Sequence, residues 1–215
     1  MSLRTRAAED RFNATLKPAW DLIEIHKRRS EDAGRRESEL SLNRGAVVFA
    51  VAAWQTYVEQ LTLAMVAESA PPAGDPTARV FAMLKAYVET QIKRLNVPDT
   101  KKTLDLWRWV AFDPTGSWGF TFTWEKQRST AHGGRITEQA TLTAQQTKNE
   151  MDTWILIRHK IAHGDALPAE PRFIAVATGS RAGVPRLKRA NADRCLNFFQ
   201  RLGAVTGDEA ANLFP

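Results

Sequence analysis

The sequence contains almost no cysteine. Its one cysteine, Cys195, can form neither an intrachain disulfide nor a zinc site built from several thiolates. A scaffold held together by disulfides is therefore excluded. A chain that folds without disulfides is typical of a reducing compartment, so we expect a cytoplasmic protein.

Long uncharged hydrophobic runs are also missing. The longest lies between Arg44 and Glu59, which is shorter than the roughly 20 apolar residues that a transmembrane helix needs. The first residues, MSLRTRAAEDR, lack the apolar segment of a signal peptide. Glycine-rich loops of the P-loop and dinucleotide-binding types are absent too. These absences argue against a membrane partner and against the common nucleotide-binding loops.

Acidic residues are scarce in one region of an otherwise ordinary globular composition. The chain has 43% hydrophobic residues, 7 Trp and 10 Phe, which is enough for a substantial core. Its formal net charge is +6, which favours an anionic partner such as RNA. Between residues 171 and 201, Asp193 is the single acid, so this region is the best candidate for contact with an RNA backbone. The candidate residues are Arg181, Arg186, Lys188 and Arg189.

Apolar residues recur at three- and four-residue spacing along most of the chain, which predicts helices. The helix over 43–67 is apolar on most sides and should be buried in a bundle or a dimer. We therefore expect an all-α fold, a helical bundle with a small hairpin or extended decoration near the C-terminus, over residues 171–189. The predicted helices span residues 5–28, 43–67, 77–95, 100–111, 139–163 and 191–205.

Residues 113–135 depart from the helical period. Glycine, threonine and aromatic residues dominate, so we predict an irregular loop with a short extended piece. Trp118, Phe120, Phe122 and Trp124 alternate and should lie on one side of that piece. Packing is the favoured role for these rings, and stacking on nucleic-acid bases is the alternative.

The segment WILIRHKIAHGD, residues 154–165, places Arg158, His159 and His163 at the end of an apolar helix. Gly164 stands where a left-handed C-terminal cap belongs. One interpretation is purely structural, because cationic groups interact favourably with the carbonyls at a helix C-terminus. A second is a metal site, since His159 and His163 are four residues apart, with Asp165, His132 or a distant carboxylate as the third ligand. The HExxH pattern is absent, because position 160 is lysine.

The third interpretation is cleavage of RNA without a metal. Histidine can pass protons near neutral pH, and the planar guanidinium of arginine fits phosphate oxygens. On an ideal helix, however, Arg158 and His163 point about 140° apart. Either the helix unwinds at His163, or a second copy of the chain completes the site, as in a twofold dimer with two arginines and two histidines.

The pattern from Arg158 to His163, an arginine, four residues and a histidine with a polar residue directly after the arginine, resembles the signature of the HEPN superfamily. The preceding apolar helix MDTWILI and the following Gly164-Asp165 are similar to that family as well. In the helix NRGAVVFAVAAWQTYVEQL, Glu59 falls near an acid common in the RiboL-PSP-linked subgroup. The resemblance covers about residues 40–205. We expect a single HEPN-like domain over residues 1–215, in which residues 1–39 form an N-terminal helix that packs on the bundle.

The resemblance implies an HEPN-like helical homodimer that cleaves RNA by attack of the 2′-hydroxyl, without a metal or other cofactor. It makes Arg158 and His163 catalytic and His159 a supporting residue, with Glu59 as a helper. A toxin or phage-defence role follows, with an antitoxin or defence-system partner. The alternative is a non-catalytic HEPN-like module that binds RNA, a nucleotide or a protein.

Overall fold

The computed structural model describes residues 3–29, 36–127, 135–168 and 186–214, and these ranges are mostly helical with one small antiparallel hairpin. Short 3-10 turns at Arg108–Val110 and Pro114–Ser117 connect helix α4 to the hairpin. The helices are α1 (Leu3–Arg29), α2 (Arg36–Glu68), α3 (Ala78–Lys93), α4 (Thr100–Trp107), α5 (Ala144–His163) and α6 (Arg189–Leu213), and the strands are β1 (Phe120–Gln127) and β2 (Arg135–Leu142).

Helices α1, α2 and α6 pack against one another around the centre of the core. The hydroxyl of Tyr57 on α2 donates a hydrogen bond to the Gly203 carbonyl of α6 at 3.0 Å. The ring of Phe12 on α1 lies 4.8 Å from that of Tyr57, and a Cβ at Gly203 would overlap the Phe12 ring. A residue without a side chain is therefore needed where the three helices meet.

Helix α2 is buried along most of its length, as its apolar sequence predicts. Trp54 contacts the rings of Tyr57, Trp107 and Phe199, which join α2 to α4 and α6. The apolar stripes of α1, α2 and α6 are almost completely buried, as their spacing predicts, whereas Ile25, Phe49 and Leu213 on the same helices are exposed. Despite this apolar character, no helix in the described ranges is both long and apolar enough to cross a membrane.

The hairpin formed by β1 and β2 corrects the predicted start of the helix over 139–163. The strands pair in antiparallel register from Phe120 opposite Leu142 to Gln127 opposite Arg135. Residues 139–142 are therefore strand, not the start of a helix, and the observed hairpin lies in the middle of the chain. A hairpin was predicted over residues 171–189, and residues 171–185 of that region lie outside the described residues.

One face of β1 is packed against helix α6. Phe120 and Phe122 both contact the ring of Phe198, and Trp124 continues the same buried row. This arrangement confirms packing as the role of the alternating aromatic residues. The buried Asp193, the single acid of the basic region, accepts a hydrogen bond from the Glu125 backbone N–H at 2.6 Å and so fixes β1 to α6.

Candidate active site

Helix α5 carries the arginine and histidine motif and has well-defined ends. It begins at a capping box, in which the Thr143 hydroxyl accepts from the Gln146 N–H and the Gln146 side chain accepts from the Thr143 N–H. It ends at His163, and Gly164 adopts a left-handed conformation with φ 72°. The Gly164 N–H bonds to the Ile161 carbonyl and the Asp165 N–H to the Lys160 carbonyl, a Schellman motif that confirms the predicted cap.

The two histidines of the motif pack against each other on the exposed face of α5. The ring centroids of His159 and His163 are 4.3 Å apart, and both side chains are exposed. Leu156, two turns before His163, is 44% exposed on the same face. The end of the helix therefore presents two imidazoles beside an accessible apolar side chain.

Arg158 lies at the border between the buried and exposed faces of α5. It is half-buried, one turn after the fully buried Trp154, and it makes no ion pair with any residue that the structure describes. Because α5 stays helical to His163, the expected separation of about 140° around the axis remains. The helix does not unwind to bring the guanidinium to the imidazole. Of the two arrangements expected from the sequence, only a site that a second copy of the chain completes is compatible with this helix.

The other charges at this helix end neutralise each other. The Lys160 ammonium and the Asp165 carboxylate are 3.0 Å apart. The hydrogen bond from Lys160 lowers the pKa of the Asp165 carboxyl, with smaller contributions from His163 and His159. The carboxylate stays ionised at neutral pH and paired with lysine, whereas Arg158 has no ion-pair partner among the described residues and can contact an anion.

The metal interpretation finds no third ligand in the described ranges. Among those residues, no group of three or more histidine, cysteine, aspartate or glutamate side chains is arranged to hold a metal ion. Asp165, one candidate ligand, is engaged by Lys160. His132, the other, lies outside the described residues.

Glu59, the predicted helper, is half-buried on α2. Its carboxylate accepts a hydrogen bond from the Gln55 side chain at 3.1 Å, and Gln55 also donates to the Leu95 carbonyl. Glu59 makes no ion pair with Arg158 or with any other residue of the described ranges. Its role as a helper stays a prediction.

Three of the four predicted RNA-contacting residues flank the start of α6. Arg186 and Lys188 are exposed and Arg189 is half-buried, whereas Arg181 lies outside the described residues. Leu187 between them is buried, and its carbonyl accepts a hydrogen bond from Asn43 at 3.0 Å. This anchor turns the neighbouring cationic side chains outward.

A buried ion pair on the core-facing side of α5 was not predicted from the sequence. Glu150 of α5 is completely buried, and the Arg194 guanidinium of α6 donates to both of its oxygens at 2.9 and 2.8 Å. The indole N–H of Trp154 donates to the same carboxylate at 3.3 Å. The available signal was the position of Glu150 on the apolar stripe of α5, between Thr147 and Trp154, where a charge needs a partner.

The conformation of Gly164 leads to a testable prediction for the helix end. A Cβ at Gly164 would meet no atom within 4 Å, so any effect of Gly164→Ala comes from the left-handed backbone alone. We expect a loss of about 1–2 kcal/mol in the free energy of unfolding, measured by urea denaturation. Gly116→Ala is the matched control, since it has equal space and an ordinary φ, and it should change stability by no more than about 0.5 kcal/mol. Equal effects of the two substitutions would contradict the assigned cap.

Comparisons with protein-family models, with curated proteins and with solved structures find no match to this chain.

Proposed function

We propose that the chain is a metal-independent endoribonuclease of HEPN type, which cleaves RNA at a composite site of a homodimer. The observation that carries the proposal is the exposed pair His159 and His163 at the capped end of α5, together with the Arg158 guanidinium of the same helix, which has no ion-pair partner among the described residues. The net charge of +6 supports a polyanionic substrate. A toxin or phage-defence role, held in check by an antitoxin or defence-system partner, belongs to the same proposal.

The chemistry needs a base, an acid and a cation. A neutral His163 imidazole takes the proton from the RNA 2′-hydroxyl, and the 2′-oxygen attacks the adjacent phosphorus. The bond from phosphorus to the 5′-oxygen breaks, and an imidazolium gives that oxygen a proton. Arg158 stabilises the negative charge that develops on the phosphoryl oxygens. The products are a 2′,3′-cyclic phosphate and a free 5′-hydroxyl.

A second copy of the chain supplies the other half of this site. Arg158 and His163 of one chain lie on different sides of α5, whereas a twofold axis beside the helix end brings two arginines and two histidines around one phosphate. One histidine then acts as base and the other as acid. Leu156 offers apolar contact area for such an interface on the face that carries both histidines.

The test is digestion of a single-stranded RNA of mixed sequence by the purified chain in the presence of EDTA. We expect cleavage with cyclic phosphate ends, no cleavage of DNA of the same sequence, and a dimer by light scattering. DNA resists because it lacks the 2′-hydroxyl. Cleavage of both nucleic acids, or cleavage that disappears with EDTA, would contradict the mechanism. Intact RNA together with salt-sensitive RNA binding would identify the non-catalytic module instead.

A further inference from the structure

A cavity of about 300 Å³ lies between α3 and the end of α4, away from the α5 motif. Its volume is at the lower end of the range of about 300–1,000 Å³ typical of small-molecule sites. Leu95 and Leu106 contribute its apolar walls. The other lining residues are Tyr87, Gln91, Arg94, Lys102, Asp105 and Trp109.

Two aromatic rings form a corner of this pocket. The ring centroids of Tyr87 and Trp109 are 4.6 Å apart, and the ring planes are inclined at 61°. Trp109 is 47% exposed and Tyr87 is 44% exposed, although the neighbouring Trp107 is fully buried. A flat ring that stacks on Trp109 would therefore meet the second ring at its edge, an arrangement that aromatic groups favour.

The backbone holds Trp109 in this position at a cost. Ala111 ends the 3-10 turn that carries Trp109, and its φ of 54° lies in the left-handed region that favours glycine. The Ala111 N–H bonds to the Arg108 carbonyl and the Phe112 N–H to the Trp107 carbonyl, which closes a Schellman motif around the tryptophan. Strain of this kind is often stored at binding sites.

The charges of the pocket favour an anion at one end. Arg94 is exposed and makes no ion pair within the described residues, whereas the Lys102 ammonium lies 3.2 Å from the Asp99 carboxylate. The hydrogen bond from Lys101 lowers the pKa of the Asp105 carboxyl, so this group is ionised at neutral pH. One of its oxygens accepts from Lys101 and the other from Arg108 at 2.7 Å, and each carboxylate oxygen has a second lone pair to accept from a ligand. The pocket therefore combines a stacking surface, an acceptor and a cation.

We propose that this pocket binds a nucleobase with its phosphate, the base stacked on Trp109, the phosphate on Arg94, and the ribose hydroxyls or the base edge near Asp105 and Gln91. The ligand is either a free mononucleotide or one nucleotide of an RNA strand, because both present the same groups. The inference does not depend on the proposed function, since the pocket shares no residue with the α5 motif.

The experiment is calorimetric titration of the full chain with five probes. AMP and CMP test a purine and a pyrimidine nucleotide, adenosine lacks the phosphate, and ribose 5-phosphate lacks the base. A hexamer of 2′-O-methyl adenylate tests the strand and cannot be cleaved by 2′-hydroxyl attack. We expect AMP, CMP or the hexamer to bind, and adenosine and ribose 5-phosphate to bind more weakly. Binding of a mononucleotide identifies the free source, and binding of the hexamer alone identifies the strand.

Two variants connect the binding to this pocket. Trp109→Ala should weaken binding about tenfold or more through the lost stacking, and Arg94→Ala should weaken phosphorylated probes without affecting adenosine. The matched controls are Phe49→Ala, an equally exposed aromatic residue on α2, and Arg79→Ala, an exposed arginine at the start of α3. The proposal is overturned if none of AMP, CMP and the hexamer binds, or if Trp109→Ala binds them as tightly as the parent. Either result can be told apart from a failure of the proposed function, which is measured by cleavage.

Discussion

Replacing Arg158 with alanine should lower the rate of RNA cleavage by about 10²–10³-fold, the usual cost of losing one group that stabilises transition-state charge. The fold should survive, because the side chain is only half-buried and has no ion-pair partner among the described residues. Arg158→Lys should recover part of the rate, since lysine keeps the charge but lacks the planar fork that fits two phosphate oxygens. Cleavage of a labelled RNA under single-turnover conditions measures each effect.

Substitutions of the two histidines should lower the cleavage rate by different amounts in the same assay. His163→Ala removes the proton-transfer group, so we expect a loss of about 10²–10⁴-fold. His159 packs against the His163 ring, so His159→Ala should cost less and should act through the placement of that ring.

Arg79→Ala is the matched control for Arg158, because Arg79 is exposed on α3, outside both the motif and the basic region 171–201. It should cleave as the parent does, and all variants should keep the helical circular dichroism of the parent. If the parent cleaves RNA and Arg158→Ala or His163→Ala cleaves it equally fast, the proposed site is wrong. Equal losses in Arg158→Ala and Arg79→Ala would indicate general charge attraction instead of a positioned catalytic group.

Local sequence patterns predicted the features that depend on residues close together in the sequence, namely the buried faces of several helices and the cap at Gly164. The apolar stripes of α1 and α6 and the nearly all-apolar α2 are buried as their spacing indicates. The cap at Gly164 followed from one residue type, because glycine adopts the left-handed region without a steric penalty. These predictions required no knowledge of distant partners.

The predictions that were wrong involve contacts between distant parts of the chain. Residues 139–142 pair with β1 across the sheet, and the helix starts only after the Thr143 cap. The three- and four-residue spacing of apolar residues in the predicted helix 77–95 places Val80 on the inward face. Val80 is nevertheless exposed, because α3 lies at the edge of the bundle with few neighbours. An apolar stripe shows which face a helix tends to bury, but not whether another element is present to cover it.

The site was predicted only in part for the same reason. The position of the motif at a helix end could be inferred from residues 154–165 alone. The α3–α4 pocket could not, because Tyr87 and Trp109 belong to different elements and meet only in the folded chain. The pair of Glu150 and Arg194 joins residues 44 positions apart, and nothing local to either one identifies the other.

Arg194→Met should lower the free energy of unfolding by about 3–5 kcal/mol, because it leaves the fully buried Glu150 carboxylate without its cation. This loss of stability should include a contribution from packing in addition to the cost of the unpaired carboxylate. The Arg194 guanidinium also lies 4.5 Å from the centroid of the Trp124 ring, so it helps to hold the hairpin against α6. Arg201→Met, on the exposed side of the same helix, is the matched control and should change stability by no more than about 0.5 kcal/mol.

A double variant separates the buried charge from simple packing. Arg194→Met combined with Glu150→Met removes both charges at similar volume, so it should be more stable than Arg194→Met alone. Urea denaturation followed by circular dichroism measures all the variants. The thiol of Cys195 provides a second probe, because burial and then the Glu150 carboxylate raise its pKa, which keeps the folded protein unreactive toward thiol reagents at pH 8. A double variant no more stable than Arg194→Met would show that the loss comes from packing around the guanidinium, and the unpaired carboxylate would not be its cause.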